Sequence, residues 1–169
     1  MKNIRVIIAA ILLSLFTIAF VMYIFGRIQE KTYSNSNFRV SYDSTWKVKD
    51  SDNELRLIHK RTKSELRIQC KILDTNFINT SLGDLIDDII YSVEQQNKGY
   101  SLINRELNIS DKYEGYAYLY ENNDKQVLVH IYKKDAKLII VYYEAESKYY
   151  DIVLDSVDMI LDSLEFVFE

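Results

Sequence analysis

The chain has no proline, four glycines, one cysteine and two histidines among its 169 residues. Each shortage removes a class of explanation. Without proline there is no proline-rich linker, and with so little glycine there is no GxGxxG turn and no phosphate-cradling loop. A single cysteine, Cys70, cannot close an intramolecular disulfide, so a small disulfide scaffold is excluded. Cys70 falls in phase with Leu66, Ile68 and Ile72, which reads as a small apolar core group and not as an exposed nucleophile. The two histidines, His59 and His130, are far apart and form no HExxH or other ligand spacing. There is no GxSxG elbow either. Asp84, Asp87 and Asp88 cluster near one predicted helix start, where acids favour the helix dipole and face water. The expectation is a protein with no cofactor and no metal that is not an enzyme.

Acidic residues are missing from the first 29 positions, and what stands there is apolar. The run that begins at Val6 and ends at Phe25, VIIAAILLSLFTIAFVMYIF, has 20 residues without a charge. As a helix it would span about 30 Å, the hydrocarbon thickness of a bilayer. Thirteen of the 20 are Leu, Ile, Phe or Val, which favours insertion by roughly 4–8 kcal/mol. Ser14 and Thr17 can bond back to their own helix. A cleaved signal peptide would have a shorter apolar core and a small-x-small site, and a lipoprotein would need a cysteine just after the run. A buried globular helix would show a polar face. A pilin would carry a glutamate near the start of its apolar helix, whereas the first acid here is Glu30. The reading is an uncleaved signal anchor in the cell membrane. Lys2, Arg5 and the free amine outweigh Arg27, Lys31 and Glu30 on the other flank, which puts the N-terminus in the cytoplasm and the C-terminal domain outside.

With Lys2, Arg5 and Arg27 set aside, 18 Lys and Arg face 25 Asp and Glu, a net charge of −7. Such a domain has no electrostatic footprint for phosphate backbones, so no nucleic-acid partner is expected. Residues 1–27 are read as the anchor, 28–36 as a polar spacer and 37–169 as one domain. In that domain, apolar and polar residues alternate over Phe38–Asp43 and Trp46–Lys49, which suggests a hairpin, and then over Glu54–Lys60 and Ser64–Leu73. The period changes at Leu82, where Leu82, Leu85, Ile86, Ile89, Ile90 and Val93 predict a helix to about Asn97, with Ser81 and Asp84 as an approximate capping box. Strands resume near Leu102–Ile109, Tyr113–Glu121, Gln126–Lys133 and Leu138–Ala145, and a second helix is predicted over Lys148–Asp162. Leu164, Phe166 and Phe168 alternate at the end. The fold class is α+β: a mostly antiparallel sheet of about 7–9 strands with two packed helices, plus one N-terminal transmembrane helix.

Three stretches carry a likeness to a known family: FRVSYDSTWKV (38–48), YEGYAYLYENNDKQVLVHIYKKDAKLIIVYYEAE (113–146) and YYDIVLDSVDMILDSLEF (149–166). The last ends in an i-x-x-S-x-x-F pattern at Ile160, Ser163 and Phe166. The order of elements and these motifs resemble the Mog1/PsbP-like family over nearly all of residues 37–168. One departure is Asp43, where relatives often have proline after the aromatic that ends the first strand. Its members are mostly binding or assembly modules, so the resemblance implies a binding domain and assigns no catalytic residue.

Tyrosine is abundant, with 14 residues. Tyr116, Tyr118 and Tyr120 share one face of a predicted strand, and His130 and Tyr132 share a face of the next. The opposite faces carry Gly115, Ala117, Leu119, Val127, Val129 and Ile131, which read as core. That leaves the tyrosine and histidine side for a helix, a partner or solvent, and makes Tyr116, Tyr118, Tyr120, His130 and Tyr132 the candidate binding residues. The expected function is a membrane-anchored extracytoplasmic module of a bacterial envelope complex with a protein partner, held to the lipid bilayer by its N-terminal helix. The alternative is a receptor for a sugar, lipid or aromatic compound, which would need a concave, mostly apolar pocket.

Overall fold

The structure, a computed structural model, describes Ser14, Phe16, Thr17 and residues 30–167 apart from 52–53, 97–98, 100 and 108–111. The apolar run from Val6 to Phe25 therefore lies outside the described residues but for three helical positions, where the Thr17 hydroxyl donates to the Ser14 carbonyl at 2.8 Å. Among the described residues no helix is long and apolar enough to cross a membrane.

Two meanders of antiparallel strands make the main sheet. The first is β3 (Trp46–Ser51), β4 (Glu54–His59) and β5 (Glu65–Ile72). The second is β6 (Ser101–Leu107), β7 (Glu114–Asn122), β8 (Lys125–Lys134) and β9 (Lys137–Glu146). They join along β5 and β9 over eight residue pairs, from Glu65 opposite Glu144 to Ile72 opposite Lys137. The strand order is β3-β4-β5-β9-β8-β7-β6. The hairpins β7–β8 and β8–β9 close with two-residue loops whose first residues, Asn123 and Asp135, have φ of 52°. Asn and Asp tolerate that left-handed backbone best after glycine, which is how a glycine-poor chain makes tight turns.

A second, three-stranded sheet has the order β1-β2-β10, from β1 (Lys31–Ser34), β2 (Phe38–Tyr42) and β10 (Glu165–Phe166). Two readings change here. Lys31–Ser34 lies in the stretch read as spacer, yet it pairs with β2 along its whole length. The stretches Phe38–Asp43 and Trp46–Lys49 do not form a hairpin, because β2 pairs with β1 and β10 while β3 pairs with β4. Asp43 makes the corner between them. Its Oδ1 accepts the Thr45 N–H at 2.7 Å, and its carbonyl accepts the Trp46 N–H at 3.3 Å. Its Oδ2 accepts from the Ser156 hydroxyl at 3.3 Å, and Ser156 in turn accepts the Trp46 indole N–H at 2.9 Å. A side chain that caps its own turn does the work a proline would do by restricting φ.

Helix α1 (Leu82–Gln96) and helix α2 (Ser147–Asp162) lie on opposite faces of the main sheet. On one face, Leu55, Leu57, Leu66, Ile68, Val141 and Tyr143 meet Tyr150, Val153, Val157 and Ile160 of α2 and Phe38, Val40 and Phe166 of the small sheet. On the other, Leu82 and Ile86 of α1 pack on Tyr118, Tyr120, Val129, Ile131, Leu138 and Ile140. Each fully buried aliphatic side chain stabilises the fold by roughly 1.5–3 kcal/mol.

Ser163, in the i-x-x-S-x-x-F pattern, ties α2 to the small sheet. Its oxygen accepts the Ser41 N–H at 2.8 Å, and its single proton is shared between the carbonyls of Ile160 at 2.7 Å and Ser41 at 3.2 Å. Phe166 then pairs with Phe38. Ser163→Ala leaves a half-buried N–H without its acceptor and should cost about 1–3 kcal/mol in urea unfolding of the full chain in detergent; a change below the error of the measurement would contradict this role.

Candidate functional site

The register of β7 and β8 decides where the candidate residues point. Tyr118 stands opposite Val129, Tyr116 opposite Ile131 and Tyr120 opposite Val127. Residues directly opposite share a face, so the three tyrosines face α1 together with those aliphatics. His130 stands opposite Ala117, and Tyr132 opposite Gly115. The two groups of candidates are therefore on opposite sides of the sheet, and Val127, Val129 and Ile131 do not share a face with Ala117 and Leu119. The sequence reading put them together because both faces of these strands are apolar.

The tyrosine side is covered. Tyr118 is 1% exposed and Tyr120 2%, and Tyr116 is partly buried. The three rings follow one another at 6.5 and 6.3 Å between centroids. Helix α1 begins close to them because Gly83 has no Cβ; one built there would stand 2.9 Å from the Tyr116 hydroxyl. The helix start is fixed by Ser81, which accepts the Asp84 N–H at 3.2 Å, and by Glu114, whose Oε1 accepts the Leu82 N–H at 2.8 Å. Burial raises the Tyr120 hydroxyl to about 12, with Glu94 and Tyr142 adding to it. The Tyr118 hydroxyl is buried and has no hydrogen-bond partner among the described residues. The Tyr118 and Tyr120 rings are closed off from solvent, and Tyr116 keeps only part of its surface exposed.

The histidine side is open. Between α2 and strands β6–β8 lies a cleft of about 900 Å³. Its floor is Ala117, Leu119 and Leu128, and its helical wall is a stripe of α2 at i, i+4, i+8 and i+11: Tyr150, Leu154, Asp158 and Leu161. Asn104 and Glu106 of β6 form the far rim, where every side chain from Ser101 to Glu106 is exposed. Tyr113, Tyr132 and His130 line it as well. Tyr113 packs edge-on to Phe166 at 4.6 Å and to Tyr132 at 6.4 Å, and its hydroxyl accepts the Phe166 N–H at 3.3 Å.

His130 Nδ1 is 2.9 Å from the Tyr132 hydroxyl. Burial alone pulls the imidazole down to about 4. Burial pushes the Tyr132 phenol far above its usual range, and the nearby Asp162 and Asp158 push it further. The pair is thus neutral near pH 7, with the phenol protonated. Asp158 is itself raised, first by burial and then by Asp162 and Asp155. Cys70 packs against the core on the α2 face, and burial raises its thiol. Among the described residues no three potential ligands come together to hold a metal ion.

The fold these elements define is the PsbP-like α+β fold. No protein-family model matches the chain, and no curated protein matches it in sequence. Solved structures do match. The chain is similar to cyanobacterial PsbP (CyanoP) from Synechocystis sp. PCC 6803, with a TM-score of 0.64 and 16% identity over 83% of this chain and 92% of that one. It is also similar to PA94 from Pseudomonas aeruginosa, a protein of unknown function described as a putative regulator (TM-score 0.55, 12% identity, 80% and 95% covered). A third is LpqN of Mycobacterium tuberculosis, involved in cell envelope biogenesis (TM-score 0.52, 9% identity, 83% and 92% covered). At these identities the likeness establishes the fold.

His130 has a measurable consequence. Its folded pKa of about 4 lies below the unfolded value of 6.5, so between those values the unfolded chain binds the extra proton. Stability should be unaffected by this group above pH 6.5 and should fall as pH drops toward 4, by on the order of 3 kcal/mol. Raised Asp158 acts in the opposite direction in the lower part of that window, so the comparison is with His130→Gln. The variant should show a clearly shallower loss of stability between pH 6.5 and 4. Superposable pH profiles would contradict a buried, neutral His130.

Proposed function

We propose that this protein is a membrane-anchored, extracytoplasmic, non-enzymatic binding module and that the cleft between α2 and β6–β8 is its recognition site. The observation that carries the reading is the cleft itself: a concave surface of about 900 Å³ with an apolar floor, on the part of the sheet that α2 leaves uncovered. Concave, mostly apolar sites with a few polar groups are where partners and ligands are held. His130 and Tyr132 belong to this site, while Tyr116, Tyr118 and Tyr120 support it from beneath by packing α1. The neutral His130–Tyr132 pair and the partly buried Cys70, whose thiol is raised by burial, favour holding over reacting. The 20-residue apolar run supports a location at the membrane, and LpqN, a protein involved in cell envelope biogenesis, is similar in fold. The occupant is a segment of a protein partner in assembly or maintenance of an envelope complex. The volume and concavity of the cleft favour a second reading, a small ligand with an apolar body.

A photoreactive residue at Glu106, on the cleft rim, should give a discrete adduct in intact cells, and one at Gln69, on the polar side of β5, should not. Asn104→Trp, which places a ring across the rim, should reduce the Glu106 adduct several-fold with an unchanged melting temperature. If a small molecule fills the cleft instead, a thermal-shift screen stabilises the protein and Asn104→Trp abolishes that shift. Adducts of equal yield from Gln69, or no adduct and no stabilising compound, would overturn the cleft as a recognition site.

A further inference from the structure

The domain as a whole is acidic, yet one end of it is basic. The β4–β5 turn reads Lys60-Arg61-Thr62-Lys63, and all three of its charged side chains are exposed. The backbone of this turn is built and not loose: the Lys63 N–H bonds to the His59 carbonyl at 3.0 Å, and the Lys63 ammonium bonds to the Lys60 carbonyl at 2.9 Å. Lys60 reaches across to the corner after β2, its N–H to the Thr45 carbonyl at 2.9 Å and its ammonium to the Ser44 carbonyl. That corner follows Tyr42, and Tyr42 stands opposite Lys31, the first residue of β1. The turn and the point where the chain enters the domain are thus on the same end, within roughly three strand spacings, about 15 Å. Exposed Lys31 and Lys47 belong to this end too, Lys47 sitting next to Trp46, whose partner is His59. Three acids stand beside the group, Glu30, Asp43 and Glu65; Asp43 already bonds to Thr45 and Ser156, and Glu65 to Arg56. Five cations against these three anions leave a local charge of about +2 on a domain that carries −7 overall.

We propose that this basic end rests on the anionic headgroups of the membrane that holds the anchor, and so fixes the orientation of the domain, with the Lys60–Lys63 turn down. The inference rests on the reading of residues 6–25 as a transmembrane helix. Five residues lie between Phe25 and Lys31, and even fully extended the six steps span at most about 22 Å. The entry end therefore cannot leave the neighbourhood of the headgroups, and a charge of the right sign within a Debye length of about 8 Å is attracted to them. Polybasic segments beside a membrane helix bind anionic lipid in this way. The opposite end of β5, at Ile72, is about 23 Å away along the strand. The cleft mouth then looks sideways along the membrane and not into it.

The test uses the full chain in nanodiscs of phosphatidylcholine alone or with 30% phosphatidylglycerol, each doped with a gadolinium-chelating lipid. In anionic discs the amide signals of residues 60–63 should be broadened on the order of threefold more than those of residues 72–74. The difference should vanish in zwitterionic discs, at 1 M salt, and in the K60E/R61E/K63E variant with unchanged melting temperature. Equal broadening of the two groups in anionic discs would overturn the orientation while leaving the anchor standing. Recovery of the chain outside the discs, or its release by alkaline carbonate, would overturn the anchor and this contact with it. Broadening that persists unchanged in the charge-reversed variant would overturn the electrostatic cause.

Discussion

A helix about 10 Å across cannot cover a sheet of seven strands, which is about 29 Å wide. Each helix must therefore choose a part of the sheet, and the two choose differently. Helix α1 covers β7, β8 and β9 on one face. Helix α2, with the small sheet beside it, covers β4, β5 and β9 on the other. What remains on the first face is the outer side of β3–β5, which is polar: Arg56 bonds to Glu65 at 2.8 Å, Arg67 lies 3.4 Å from the same carboxylate, and the Arg67 guanidinium stands over the Tyr142 ring. Those pairs are partly exposed, and such surface ion pairs contribute little stability. What remains on the second face is an apolar floor with polar walls and rim, and it is the cleft. One mismatch of dimensions thus yields both a solvated face and an open cleft.

The join between β5 and β9 makes the sheet wide enough for this to happen. Leu66 opposite Tyr143 and Ile68 opposite Val141 supply one core, while Ile140 and Leu138 on the same strand supply the other. β9 is buried on both faces and reads as a run of Leu138-Ile139-Ile140-Val141, without alternation. β5 is buried on one face only, and alternates. The hydroxyl of Tyr143 donates to the Tyr150 carbonyl at 2.9 Å, so the first turn of α2 is pinned to the centre of the sheet. From there the helix runs toward Ser163 and the small sheet.

Much of this was legible in the sequence, because it depends on local periodicity. The bounds of β4, β5, β7, β8, β9 and both helices agree with the alternation and the helical spacing to within one or two residues. Strand β1 was missed because KTYS buries only part of Tyr33 and shows no apolar alternation. The split of β2 from β3 was missed because Asp43-Ser44-Thr45 is as good a hairpin turn as it is a corner; the deciding partner, β10, lies more than 120 residues further on. Ser163 could be read as part of a pattern, but its role emerges only once Ser41 is beside it. The placement of His130 away from Tyr118 follows from cross-strand register, a fact about two strands that neither strand's own pattern contains. The cleft was the least legible feature, because it is defined by where α2 does not reach.

The offset of the two helices is tested most directly by solvent access from the two sides of one strand. In a Cys70→Ser background, a cysteine at Leu128, on the cleft floor, and one at Val129, beneath α1, should behave differently toward a maleimide in the native full-length protein. Leu128→Cys is expected to label within minutes and Val129→Cys only after denaturation, with both variants keeping the same circular dichroism. Equal protection of both positions would mean that the cleft is closed. Equal labelling would mean that α1 does not cover the tyrosine face, and either result would contradict the arrangement of the two faces described above.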